Sequence, residues 1–208
     1  MAESSPSCLA AAAQRLGLTG TVDAVCVVDR LFTDDVGAVG VSGIDKRPVA
    51  GPVRVRSLGL HGDVQADRKH HGGVEKAVYA YAADDAHWWS QQLQREIPPG
   101  TFGENLRLSG IDLDGAYPGE RWRIGEHVVL EATVPRIPCA TFGRWLGEPG
   151  WVRRFMEAGR PGTYFRVITA GTVQAGDAVE VISTAETAAE NIRELALARG
   201  SAQARPEG

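Results

Sequence analysis

The sequence predicts a mostly β fold: an antiparallel sheet closed or nearly closed into a barrel, with a few peripheral helices. Three observations carry this. Glycine is abundant, 25 of 208 residues, and is spread through the middle of the chain. Between the glycines lie short segments that are rich in valine or alternate apolar with charged residues, the pattern of strands with one buried face. A glycine followed by an acidic residue marks turns between several of them, at Gly119-Glu120, Gly125-Glu126 and Gly176-Asp177.

Taken in order, Gly20–Val28 is a valine-rich first strand, and Val53–Leu58 alternates valine with arginine. Ala77–Tyr81, Asn105–Leu108, Arg121–Ile124, His127–Val134, Tyr164–Thr169 and Ala178–Ile182 supply the rest. Asp84 is placed to cap a helix over Asp85–Arg95, and Pro149 falls near the first turn of a second over Pro149–Ala158. A last helix is expected from an S-x-x-E capping box at Ser183 and Glu186, with Gly200 as its stop. The chain divides into an N-terminal extension (1–19), the barrel (20–183) and a C-terminal helix and tail (184–208).

A chain of this length fits one domain and buries roughly 70% of its unfolded surface, so it needs neither disulfides nor a structural metal to fold. A net charge of −4 disfavours nucleic acid as the main partner. Cys8, Cys26 and Cys139 are few, odd in number and far apart and form no CxxC, which argues against a disulfide framework or a cysteine-built zinc site and points to a reducing compartment. Met1 to Leu18 lacks a basic leader segment, and no apolar run approaches the 18 or more residues of a membrane span. The expectation is a cytoplasmic protein with no membrane partner.

Four segments carry chemistry. Gly59–Gly73 (GLHGDVQADRKHHGG) packs Asp63, Gln65, Asp67, Arg68, Lys69, three histidines and four glycines into one polar stretch. Its glycines would let backbone N–H groups approach an anion, and Lys76 would add a charge-assisted bond. A solvated surface loop is the plainer reading. His61, Asp63, His70 and His71 could be drawn as zinc ligands, but adjacent histidines on a strand point to opposite faces. Thr101–Leu106 (TFGENL) is a turn presenting Asn105, both donor and acceptor. Pro135–Cys139 (PRIPC) holds Cys139 at the exit of a strand beside Arg136, where a guanidinium favours the thiolate. Cys26, inside AVCVV, suits a buried apolar role. In Pro161–Thr169, Arg166 stands among apolar residues and needs a salt bridge or a bound anion to repay its burial.

Together these segments resemble the MOSC domain family, named after the C-terminal domain of molybdenum cofactor sulfurases. The matching pieces are GIDKRPVAGPV (Gly43–Val53), GLHGDVQAD (Gly59–Asp67), HHGGVEKAVYAY (His70–Tyr81), TFGENL, PRIPC, GTYFRV (Gly162–Val167) and GDAVEV (Gly176–Val181). The likeness is strongest to the stand-alone bacterial hydroxylaminopurine-resistance type. It implies a β-barrel with a cofactor cleft at one end and molybdenum cofactor (molybdopterin) as the ligand. Carried onto this chain, Cys139 would ligate molybdenum and act as the catalytic centre. His71, Gly72 and Gly73 would shape the cleft, Lys76, Asn105, Arg136 and Arg166 would contact pterin or its phosphate, and Asp63 and Asp67 would orient the loop. The resistance-type branch ends in a three-helix bundle, whereas Ser183–Gly200 has room for one helix.

The resemblance implies a molybdenum-dependent oxidoreductase acting on a small N-hydroxylated substrate, with electrons from a separate reductase. Two alternatives use the same residues. One is a sulfur carrier that holds a persulfide on Cys139, and the other is a non-catalytic module that binds molybdopterin.

Overall fold

The computed structural model describes residues 6–37, 39–66, 72–185, 187 and 189–203. Eleven strands and five α-helices form among them. The strands are β1 (Thr19–Asp34), β2 (Gly40–Pro48), β3 (Val53–Arg56), β4 (Gly59–Leu60), β5 (Val78–Ala82), β6 (Leu106–Ser109), β7 (Arg121–Ile124), β8 (Val128–Pro135), β9 (Thr163–Thr169), β10 (Gly171–Val173) and β11 (Ala178–Ser183). The helices are α1 (Pro6–Ala13), α2 (Ala83–Leu93), α3 (Ala140–Leu146), α4 (Trp151–Glu157) and α5 (Ile192–Gln203), and Val74–Lys76 makes a single 3₁₀ turn.

The barrel closes. Its order is β11-β7-β8-β9-β5-β6-β1, and the first residues of β1 return to β11 through Thr19↔Glu180 and Thr21↔Ala178. The expected all-antiparallel pairing is corrected at one place: β5 and β6 run parallel, Ala80 opposite Leu106. Parallel neighbours need a crossover, and α2 with the segment after it supplies one. β1 is longer than its valine-rich start indicates. After Val25 it leaves β6 and pairs with β2, from Cys26↔Pro48 to Asp34↔Gly40, as an arm beside the closed barrel. A small sheet, β10-β3-β4, stands apart.

Two apolar clusters explain how the barrel and helices fit. Every residue of β5 is buried, because both of its faces are covered. Val78 and Ala80 point into the barrel with Leu106, Leu108, Trp122 and Phe165. Tyr79 and Tyr81 point outward, where Trp89, Phe102, Phe142, Trp151 and Phe155 pack the helices against the wall. The helices therefore cover the outer face of β5, and they bring α3 and its N-terminal Cys139 to that side.

Helix boundaries differ from the sequence expectation in two ways. Asp84 does not cap α2: Ala82 is the cap residue, with no side-chain bond, while Asp84 and Asp85 lie in the first turn, where acidic groups complement the helix dipole. Ser183 ends β11, paired with Arg121, and α5 starts later. Its box is Asn191 and Glu194, whose side chains accept each other's backbone N–H at 2.9 and 2.8 Å. Gly200 does not stop α5. It lies against Met156 of α4, and a Cβ there would come 3.3 Å from the Met156 Cε.

Candidate functional site

Cys139 sits where β8 has ended and α3 begins, in extended conformation (φ −120°, ψ 171°). The thiol is half-buried and packs beside the outer aromatic cluster. Cys26 is fully buried, and burial pushes its thiol up to about 12. Neither is in a disulfide.

Cys139 opens onto a cleft of ≈ 370 Å³, within the range of small-molecule sites. The β1–β2 arm forms one wall, residues 63–66 and Lys76 a second, and α3 with Arg136 a third; Tyr79 and Tyr164 from the outer faces of β5 and β9 complete it. Of the residues singled out in the sequence, the fold brings Cys139, Lys76, Asn105 and Arg136 together here. Gly72, Gly73 and Arg166 are not among the lining residues. His71 and Asp67 lie outside the described residues.

Among the described residues, four cations line the cleft against two carboxylates. Lys46 donates to Asp63 at 2.5 Å with both side chains buried. Arg144 forks onto Asp34 with two 2.7 Å bonds, and this pairing holds the Asp34 carboxyl below the usual carboxylate range. Lys76 lies over the Tyr164 ring at 5.9 Å. Arg136 is different. It is buried, with its guanidinium 3.9 Å from the Phe142 ring centroid and 5.1 Å from that of Tyr79. Nη1 donates to the Phe102 carbonyl, Nε has no hydrogen-bond partner, and among the described residues no carboxylate pairs with it. Burial alone would lower its pKa, but the fields of Tyr79, Tyr164 and Cys139 outweigh that and raise it. A buried guanidinium without a counter-charge is costly unless a ligand supplies one.

Asn105 is bound by its own protein. Its backbone N–H donates to the Tyr79 carbonyl at 2.7 Å, and its Oδ1 accepts the Tyr79 N–H at 3.1 Å. Nδ2 donates to Asp63 at 2.8 Å and to the Cys26 carbonyl at 3.3 Å. Both amide hydrogens are thus used, and the side chain ties β5, β1 and the 63–66 segment together. Asp63 also accepts the Val28 N–H at 3.1 Å, so it orients its segment against the arm.

The glycine-rich segment has a structural explanation where it is described. At Gly59 (φ +112°) a Cβ would stand 2.4 Å from the Ala77 carbonyl, so glycine permits two chain segments to cross. Gly73 donates its N–H to Gln65 Oε1 at 2.9 Å, which pins that segment to the 3₁₀ turn. Arg166 takes the salt-bridge alternative, between Glu75 (3.2 Å) and the buried Glu131. Nothing in the sequence marks Asp34, Tyr79, Arg144 or Tyr164 as cleft residues. Arg144 lies five residues after Cys139, but its partner Asp34 is 110 positions away and leaves no local signal.

The match to a family model places the chain. Residues 67–180 match the MOSC domain, more than half the chain, and the chain belongs to that family. The protein YflK of Bacillus subtilis (strain 168) is 35% identical over 145 residues, which cover 70% of this chain and 65% of YflK. YiiM of Escherichia coli (strain K12) is 30% identical over 146 residues, 68% of this chain and 64% of that protein. A Gibberella moniliformis protein named Reductase is 31% identical over 156 residues, 70% of this chain and 27% of its own length. The chain thus spans less than two thirds of each of these relatives. The crystal structure of YiiM from Geobacillus stearothermophilus superposes with a TM-score of 0.71 at 24% identity, covering 89% of this chain and 86% of that one, which shows the shared fold. No helix among the described residues is long and apolar enough to cross a membrane.

Proposed function

We propose that the cleft binds molybdenum cofactor, with Cys139 as the protein's ligand to the metal, and that the protein reduces N-hydroxylated compounds with electrons from a separate reductase. The observation that carries this is Arg136: a buried guanidinium with an unpartnered Nε, lining the same cleft as the Cys139 thiol. The donor set fits a pterin phosphate and a soft metal: the buried Arg136 guanidinium with its unpartnered Nε, and one thiol, the ligand type that molybdenum selects.

When bound, the cofactor supplies the two-electron chemistry of N–O reduction. In the net reaction the N–O bond breaks, two electrons and two protons are taken up, and amine and water leave. The protein's residues hold and orient. Arg136 and Lys76 would neutralise the anionic ligand, and the prolines on either side of Arg136 and Ile137 restrain the segment leading to Cys139. Burial raises the Tyr164 phenol, so it stays protonated in the cleft and can donate a hydrogen bond. The family membership and the fungal relative's name support a redox reading. A persulfide carrier would use the same thiol, with Arg136 favouring its thiolate, and is separated from the reductase reading by the test below.

The test is reduction of benzamidoxime by cofactor-loaded protein with an artificial electron donor, wild type beside Cys139→Ser. Turnover in the wild type and none in the variant, at unchanged thermal stability, is expected. Turnover retained in the variant overturns the assignment. An added sulfur on Cys139 by mass analysis, with no turnover in either protein, overturns it in favour of the carrier.

A further inference from the structure

The β1–β2 arm is clamped close to its turn and is apolar around that clamp. Phe32 packs edge-on against Trp145 of α3, with centroids 5.3 Å apart at 74°. Two residues on, the buried Asp34 carboxylate accepts both Arg144 bonds and the Thr141 hydroxyl at 2.6 Å. Gly37 lets the chain fold back on this clamp, because a Cβ there would stand 2.5 Å from Asp34 Oδ2. The arm is therefore anchored to the helix that follows Cys139. In the turn, Val36 (79% exposed) and Val39 (47%), and in the facing strand Val41 (40%), line the cleft while exposed, and Val64 (43%) lies in the wall formed by residues 63–66. Exposed valines grouped at the mouth of a cleft mark a surface that is covered in use. The cations and the thiol are the cleft's other resource, so it has an apolar rim and a polar interior that holds the buried Arg136 and the thiol.

We propose that Val36, Val39 and Val41 determine substrate specificity by taking up the apolar body of the substrate, so that its N-hydroxyl group is presented inward toward Cys139. This rests on the reductase reading above and narrows it. The preferred substrates are N-hydroxylated compounds with an aromatic or similarly apolar body, rather than hydroxylamine or short aliphatic analogues. Covering two valine side chains corresponds to about a tenfold change in affinity or rate.

The experiment compares the loaded wild type with Val36→Ser/Val39→Ser, both exposed positions outside the clamp. Binding of benzamidoxime and acetamidoxime is measured by calorimetry, and kcat/KM for benzamidoxime and hydroxylamine by steady-state assay. The wild type is expected to bind benzamidoxime more tightly than acetamidoxime, and the variant to lose about tenfold of that preference. In turnover, KM for benzamidoxime rises while hydroxylamine reduction stays unchanged. Equal affinity of the wild type for the two amidoximes, or an undiminished preference in the variant, overturns the proposal. A change in oligomeric state with selectivity intact overturns it too, by giving the valines to a second copy. Selective binding that the variant loses, without turnover of any substrate, supports the valines' role while refuting the reductase reading.

Discussion

Replacing Asn105 by alanine separates an architectural role from a ligand-binding one. The side chain is 3% exposed and makes three hydrogen bonds within the protein. The alanine variant leaves the Tyr79 N–H without this acceptor, takes one donor from the Cys26 carbonyl and removes a neutral donor from the Asp63 carboxylate. An unmet buried polar group costs about 1–3 kcal/mol, so a total of about 2–5 kcal/mol follows. With a urea dependence of about 2 kcal/mol per molar, the unfolding midpoint falls by about 1–2.5 M. Asn105→Asp does not rescue it: one oxygen still accepts from Tyr79, but the other faces the Cys26 carbonyl and Asp63 with no hydrogen to give. Urea unfolding followed by tryptophan fluorescence measures this. An unmoved midpoint in Asn105→Ala, together with loss of bound cofactor, would refute the architectural role.

Three further outcomes follow from buried groups and crowded backbone. Burial first, then the neighbouring Asp85, raises the Asp114 carboxyl well above the ordinary range, and its Oδ2 has no hydrogen-bond partner. A carboxyl raised in the fold favours its protonated form, so its contribution is present below the ordinary carboxylate range and is lost as pH rises through the raised value. Asp114→Asn, whose Oδ1 can still accept the Gly162 N–H, should raise the melting temperature at neutral pH and flatten its fall between acid and neutral conditions; parallel curves would contradict this. In alkylation with iodoacetamide at pH 8, Cys26 should stay unmodified, since a thiol near 12 leaves about one thiolate in ten thousand. Peptide mass analysis reads this, and rapid Cys26 labelling in folded protein would contradict it. Gly59→Ala should destabilise by more than about 2 kcal/mol in chemical unfolding, because both its φ and the Ala77 carbonyl oppose a side chain.

Much of the barrel was legible locally. Arg121–Ile124 was bounded correctly because it alternates charged with apolar residues between turn signals. β2 was read only as a motif: Gly40–Pro48 holds two glycines, three charges and a proline, and it is a strand because β1 offers it an edge. The parallel β5–β6 pair left no trace, since register is settled by distant partners. Ser183-x-x-Glu186 and Asn191-x-x-Glu194 carry the same capping pattern, and only the pairing of Ser183 with Arg121 decides between them. At the site, Cys139, Arg136 and Lys76 could be singled out because they sit in unusual local surroundings. Arg166 sits in similar surroundings, yet Glu131 and Glu75 already answer its charge. The Asp34–Arg144 clamp is a long-range contact that only the fold reveals.

The most direct test of the cofactor assignment is the molybdenum and pterin content of protein purified from a host that makes the cofactor, comparing wild type, Cys139→Ser and Arg136→Met. Molybdenum and pterin in proportion to the wild-type chain, loss of molybdenum in Cys139→Ser, and weakened pterin retention in Arg136→Met are expected. Wild-type protein without either component, or variants that keep both in full, would contradict the assignment.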